Sequence, residues 1–340
     1  MENKYIKTNS SIIYNRFKKI SEISSKIKNK NMCINCKKNF EYTYEYSNIH
    51  KKVKYYIKFN DIDLHMLKDH NLISIDLYEK ICKIPIQFNF DFGLFNTNTL
   101  NIIDGLYEVG SNRRYIEKNK NIYSSKLSRF SEHYGFLSFD ENLVNKVIVL
   151  NDARVDKLDP LIYQPENCLE ALKVDYMFHT HPKTPYIGSR IKHGMIYEFP
   201  SISDIIHFID HHNNGKLLGS IILTPEGLYM IHKYYFDREK IKLDTDILID
   251  EMYEVYSECY NSSLEKFSNL DLKKYCKDKE IKIPDDIFFN KIADNFEFIN
   301  MINKNLIKYD LYIDFYPRIK LNSNSDFWIF PDIYLPVLNI

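Results

Sequence analysis

An apolar run that ends in two histidines one residue apart and then a proline, VDYMFHTHP over residues 174–182, restricts this chain more than any other stretch. The run predicts a buried strand. Alternate side chains in a strand share a face, so His179 and His181 point the same way and Thr180 points the other. Pro182 has no N–H to donate and ends the ladder, leaving both imidazoles at the mouth of a sheet, close enough to share one cation. A catalytic zinc generally takes three protein ligands and keeps a fourth position open. The third is expected from FPSISDIIHF, residues 199–208, where Ser201 and Asp204 form S-x-x-D at the head of a helix-periodic run. S-x-x-D after a proline is also the signature of a helix N-cap with an acidic partner at N3. The two readings are compatible, because a carboxylate in the first helical turn can face a cation at a strand end.

Composition narrows the setting. With 44% hydrophobic residues, 27 Tyr and 22 Phe against only 9 Gly and 11 Pro, most of the 340 residues are expected to fold. Lys+Arg and Asp+Glu balance at 46 each, so no overall field draws the chain to nucleic acid or an anionic membrane. No apolar run approaches the roughly 18 residues that span a bilayer, and MENKYIKTNSSIIYN lacks the apolar centre of a signal peptide. An intracellular, cytoplasmic location without a membrane span is therefore expected, with the nucleus left open. Cys82, Cys168, Cys259 and Cys276 are scattered, which does not resemble a secreted disulfide framework; free, reduced thiols are expected there.

Along the chain, residues 1–30 carry eight Lys/Arg and two Glu with Ile6, Ile13, Phe17, Ile20 and Ile27 at roughly helical spacing, which reads as a basic amphipathic helix. Residues 31–78 hold the paired cysteines. Residues 79–124 read as a strand-rich connecting segment, from IPIQFNFDFGLF and LNIIDGLYEV, ending in a Lys/Asn/Ser-rich linker at 117–128. Residues 125–235 then give strand, strand, strand, helix, strand, strand. Residues 236–340 read as a helical extension with two late strands, YDLYIDFYPRIK and DFWIFPDIYLP.

On these residues the chain resembles the JAMM, or MPN-plus, metalloproteases. Their motif is a glutamate on an early strand, H-[ST]-H-P and S-x-x-D. Here it is matched by Glu132 in EHYGFLSF, His179-Thr180-His181-Pro182 and Ser201-Ile202-Ser203-Asp204. E-x-x-G from Glu132 to Gly135 and the strand pair LGSIILTPEGLYMI also match, so the resemblance covers roughly residues 125–235. One departure stands out: nineteen residues, 182–200, separate His181 from Ser201, where the family commonly has seven. The extra loop costs little closure entropy, so the ligands can still converge.

The resemblance implies an α+β fold of MPN/JAMM (cytidine-deaminase-like) type, a mixed sheet flanked by helices, with a zinc-finger-like N-terminal module and a helical C-terminal extension. It implies a catalytic Zn2+ on His179, His181 and Asp204. Glu132 would be general base and then general acid, and Ser201 the oxyanion donor. The implied activity is an isopeptidase that removes ubiquitin or a ubiquitin-like modifier, a deubiquitinase. A non-catalytic JAMM-like scaffold and a metallohydrolase of another amide remain the alternatives. Glu108 in LYEVG is the rival to Glu132. His207 and His211, without an H-E-x-x-H arrangement, read as a helix face. Zinc deaminases need a P-C-x-x-C that is absent, and nothing marks Cys168 as a nucleophile.

CINCKKNF, residues 33–40, with IDLHMLKDH, residues 62–70, resembles a C2H2 zinc finger, which implies a second, structural Zn2+ on Cys33, Cys36, His65 and His70, with His50 as an alternative ligand. Twenty-eight residues separate Cys36 from His65, so an extended hairpin, EYTYEYSNIHKKVKYYIKF, is expected between them. Asp61, Asp63 and Asp69 on the helix would repel phosphates, which disfavours nucleic acid and favours a staple or a protein-docking module.

Overall fold

The computed structural model describes residues 5–86, 90–111, 114–115, 128–140, 142–155, 171–182, 197–266, 276–277, 280–281, 283–322 and 324–338. Strand β1 (Tyr5–Lys7) leads into α1 (Ser11–Ile23), whose N-cap Ser10 accepts a hydrogen bond from the Ile13 N–H. Its buried stripe is Ile12, Ile13, Arg16, Phe17 and Ile20. The helix stops at Ser24, which is extended, and SKIKNKNM becomes strand β2 (Ser25–Met32). Thus residues 1–30 are not one helix. Ile27 is exposed and lies outside the stripe, and from Ser25 onward lysines alternate at the period of a strand.

β3 (Asn39–His50) and β4 (Val53–Asn60) form the expected hairpin, paired from Thr43↔Asn60 to His50↔Val53. Lys51 and Lys52 make its tip with φ of 47° and 68°, the left-handed pair of a two-residue turn. Helix α2 (Asp61–His70) follows, started by a capping box between Asn60 and Asp63. Then come β5 (Leu72–Ser74), paired with β1, and α3 (Ile75–Lys83).

Beyond β6 (Phe90–Phe95), the stretch LNIIDGLYEV is helical, within α4 (Thr97–Ser111), where the strand-rich expectation for 79–124 had placed a strand. Leu100, Ile103, Tyr107 and Gly110 are its buried residues, a helical and not a period-two spacing. Asn96 Oδ1 accepts from the Thr99 N–H at 2.9 Å at its start. Glu108 consequently sits on an exposed helix face. The 117–128 linker lies almost wholly outside the described residues.

The remaining strands are β7 (Arg114–Tyr115), β8 (Ser128–Asp140), β9 (Leu143–Val155), β10 (Tyr176–Thr180), β11 (Gly219–Leu223) and β12 (Gly227–Lys233). They are followed by the short pair β13 (Cys276–Lys277) and β14 (Glu280–Ile281), then β15 (Leu311–Pro317), β16 (Ile319–Lys320), β17 (Trp328–Ile329) and β18 (Ile333–Leu338). The helices between them are α5 (Ile202–Asn214), α6 (Thr245–Lys266), α7 (Asp285–Ile287), which runs into a π-turn, and α8 (Glu297–Leu306). Among the described residues a nine-stranded sheet runs β15-β12-β11-β10-β8-β9-β6-β18, with β7 paired to β8 off that path. β10–β11 and β6–β9 are parallel and the other pairs antiparallel, so the fold is α+β with a mixed sheet. The two late strands are not an appendage: β15 extends the sheet beside β12, and β18 pairs with β6.

Alternation divides the sheet cleanly. Tyr176, Phe178, Ile221, Met230 and Tyr316 enter a core shared with α1, α3 and α4. Met177, Ile222, Tyr229, Ile231 and Phe315 enter a second core with α5, α6 and α8. The face that carries His179 is the second, so α5 is the helix that can reach it. Among the described residues no helix is long and apolar enough to cross a membrane.

Candidate metal centre

β10 delivers its histidines as the alternation requires. His179 and His181 are buried, their Nε2 atoms 3.1 Å apart, and Thr180 turns away, its Oγ1 accepting from the His133 N–H at 3.0 Å. Pro200 lies just before the N-cap of α5, and Ser201 caps it in a full capping box with Asp204. The Asp204 N–H donates to Ser201 Oγ at 3.2 Å, while Ser201 N–H and Oγ–H donate to Asp204 Oδ2 at 2.6 and 2.8 Å. The cap reading of S-x-x-D therefore holds, and the same cap brings the carboxylate beside the two imidazoles. Asp204 Oδ1 is 3.2 Å from His179 Nε2, and Oδ2 is 3.5 Å from His181 Nε2.

Donors about 2.0–2.1 Å from a tetrahedral zinc stand roughly 3.3 Å from one another. The imidazole pair at 3.1 Å, with one Asp204 oxygen 3.2 Å from His179 and the other 3.5 Å from His181, is of the size that three donors to one such ion require, and three protein donors would leave a fourth position open. The electrostatics agree. Burial alone would raise the Asp204 carboxyl, but the His179 and His181 rings and the Ser201 hydroxyl outweigh it and hold the carboxyl far below the usual carboxylate range. Behind this group, His181 Nδ1 donates to the Glu198 carbonyl at 3.2 Å, which makes Nε2 the nitrogen that could coordinate an ion.

Glu132 is buried on β8. In the β8–β10 ladder Tyr134 stands opposite His179, and Glu132, two residues before Tyr134 on β8, shares that face by alternation. Gly135 completes E-x-x-G for a packing reason: a Cβ there would lie 1.9 Å from the Ile148 carbonyl oxygen, beside the bulge where β9 crosses it. His207 and His211 are half-buried along α5 and belong to no donor group among the described residues. Residues 183–196 of the inserted loop, and Cys168, lie outside the described residues. Sequence reasoning missed Glu198, whose contribution is a backbone carbonyl that no residue type advertises.

The second donor set lies in the N-terminal third. Cys33 and Cys36 flank the knuckle between β2 and β3, closed by Lys37 N–H to Cys33 O at 2.8 Å with Lys37 at φ 62°. Helix α2 brings His65 and His70. Cys36 Sγ–His65 Nε2 is 3.0 Å, Cys33 Sγ–His70 Nε2 3.6 Å and His65 Nε2–His70 Nε2 3.2 Å, the spacing of a closed four-ligand zinc site. Asp69 Oδ2 lies 2.6 Å from His65 Nδ1 and orients that ring. Burial pushes the Cys33 thiol up, but the backbone N–H groups of Cys36 and Asn35 outweigh it and lower its pKa. His50, the alternative ligand, is exposed at the hairpin end, apart from this group. Cys82 and Cys259 are free and buried.

No family model matches the chain, and no solved structure matches it. It is similar to "Uncharacterized protein R413" of Acanthamoeba polyphaga mimivirus, with 32% identity over 292 residues that cover 80% of this chain and 78% of the relative. The chain belongs to the same family as R413. That relative's name states no activity, so the chemistry is argued from the site.

Proposed function

We propose that this chain is a zinc-dependent hydrolase of an amide bond, a JAMM-type isopeptidase acting on ubiquitin or a ubiquitin-like modifier. The observation that carries the hydrolase is the donor triangle of His179, His181 and Asp204 with Glu132 on the same buried sheet face. A four-ligand staple would have no use for the open vertex or for a further carboxylate beside it. The modifier is inferred from the resemblance of residues 125–235 to the JAMM proteases.

Zinc, when bound there, supplies a Lewis acid and brings the pKa of water toward neutrality. Glu132 would take a proton from the attacking water as the new C–O bond forms and then give it to the amide nitrogen, whereupon the C–N bond breaks and the amine departs. Ser201 Oγ carries one proton, committed in this structure to Asp204 Oδ2. Turned away from Asp204, the same hydroxyl would donate that proton to the oxyanion that develops on the substrate carbonyl. Cys33, Cys36, His65 and His70 would hold a structural zinc that ties the hairpin β3–β4 to α2.

The test is incubation of zinc-loaded protein with di-ubiquitins of several linkages, with and without phenanthroline, beside E132Q and H179A. Cleavage that phenanthroline and both substitutions abolish supports the proposal. No cleavage by fully loaded protein would reject the ubiquitin substrate. Partner binding unaffected by H179A would then favour a scaffold.

A further inference from the structure

We propose that Glu226 is a positioning residue for the metal centre, fixing the ring of His181 through the backbone of Glu198. The inference rests on the metal-centre reading of His179, His181 and Asp204. Its basis is a continuous chain of hydrogen bonds. Glu226 Oε1 accepts from the Glu198 N–H at 2.8 Å and from the Tyr229 hydroxyl at 3.1 Å, and the Glu198 carbonyl accepts from His181 Nδ1 at 3.2 Å. Glu198 thus has its N–H held by Glu226 and its C=O aimed at the ligand ring.

Glu226 is wholly buried, and burying a carboxyl is costly unless it is put to use. Within its own turn the carboxyl meets the Glu226 N–H and the Thr224 hydroxyl, but the turn closes through bonds that do not involve it. That turn is closed by the Thr224 N–H to the Gly227 carbonyl at 2.9 Å and by the Gly227 N–H to Thr224 Oγ1 at 3.2 Å. Among the described residues no salt bridge claims it either. Arg318 touches the turn through its backbone N–H on the Glu226 carbonyl at 3.3 Å and its guanidinium on the Thr224 carbonyl at 3.5 Å, while the guanidinium is paired with Asp104 at 2.9 and 2.5 Å. What the carboxyl does hold is segment 197–200, the stretch that carries the chain into the cap of α5. Two tyrosines clamp the same segment: Tyr197 donates to the Ile292 carbonyl at 2.5 Å, and Tyr256 donates to the Pro200 carbonyl. Of these three clamps only Glu226 grips the residue that orients His181.

The test uses the full chain with 15N-labelled histidine. In metal-free protein, wild type and E226Q, which keeps an acceptor oxygen, are expected to hold His181 as the Nδ1–H tautomer. E226L is expected to give a tautomer mixture, with His212, held by the Leu217 carbonyl at 2.7 Å, unchanged as internal control. Cobalt titration then separates the two sites, because only the cysteine site gives thiolate charge-transfer bands. Affinity at the His179 site should fall about 10–100-fold in E226L, as for other outer-shell losses, and stay near wild type in E226Q. E226A replaces E226L if the latter does not fold. An E226L protein with unchanged tautomer and cobalt affinity would overturn the proposal, as would E226Q and E226L failing alike at both metal sites. Wild-type protein taking no metal on His179, His181 and Asp204 would instead remove the metal-centre reading, while the tautomer measurement still tests the buttress.

Discussion

His179 Nε2 and His181 Nε2 face each other across 3.1 Å, with Asp204 Oδ1 a further 3.2 Å from His179. His181 spends its Nδ1 proton on Glu198, so in the neutral ring its Nε2 is a bare acceptor. Two imidazole nitrogens at this separation repel unless a proton or a cation lies between them, and the carboxylate beside them favours positive charge. The arrangement could hold a cation, and the same cap that starts α5 keeps the carboxylate aimed at the two rings.

Glu132 should be separable from metal binding. E132Q keeps the size of the side chain and loses the base, so kcat is expected to fall about 10²–10⁴-fold while zinc content stays at the wild-type level. Steady-state cleavage together with metal analysis checks this. Loss of zinc along with activity would make Glu132 a ligand.

Ser201 caps α5, and on the proposed mechanism it has a second task with a different readout. S201A removes the N-cap, which costs about 1 kcal/mol of stability, and removes the oxyanion donor, which costs about 10²–10³ in kcat. Asparagine at 201 can cap but positions its donor differently, so S201N should recover the unfolding midpoint without recovering the rate. Recovery of both would leave Ser201 as a cap only.

The pH dependence of stability should carry the mark of Glu226. Burial, and then the charge of Glu198, raise its carboxyl from the ordinary 4.5 to about 7. The folded chain therefore binds a proton that the unfolded chain releases between those values, and stability falls as pH rises through that window. At about 1.4 kcal/mol per unit the loss is about 3 kcal/mol. Denaturant midpoints from about pH 5 to about pH 8 should decline in wild type and flatten in E226Q. Equal slopes would show that Glu226 titrates normally.

The N-terminal donor set should behave as a staple. C36S or H65A is expected to remove one zinc per chain, lower the thermal midpoint and free the β3–β4 hairpin to proteolysis, leaving cobalt binding at His179 intact. A midpoint unchanged by zinc removal would show that the hydrophobic packing of Phe59, Leu67 and Ile57 holds this region unaided.

Much of the metal centre could be read directly from the sequence because its logic is local. Alternation in a five-residue strand and a three-residue cap spacing already orient His179, His181 and Asp204. The C-x2-C knuckle with His65 and His70 was legible for the same reason, as was the long hairpin forced by the spacing. LNIIDGLYEV misled because Ile102, Ile103 and Val109 favour strands and Gly105 reads as a turn between them, while the helix is decided by burial of Leu100, Ile103 and Tyr107. The end of α1 at Ser24 was hidden because Ile27 continues the helical spacing without joining its buried stripe. The pairings β12–β15 and β6–β18 join residues far apart in the chain, and no local pattern records them. Glu198 acts through a carbonyl and Glu226 through that backbone, so neither side chain signals its role.

Anomalous diffraction at the zinc edge from crystals of the zinc-loaded chain tests the central claim most directly. The expected result is a peak about 2.0–2.1 Å from His179 Nε2 and His181 Nε2 and at similar distance from an Asp204 oxygen, with a second peak among Cys33, Cys36, His65 and His70. A peak at the cysteine site alone, with Asp204 bound directly to protonated His179, would contradict the hydrolytic centre.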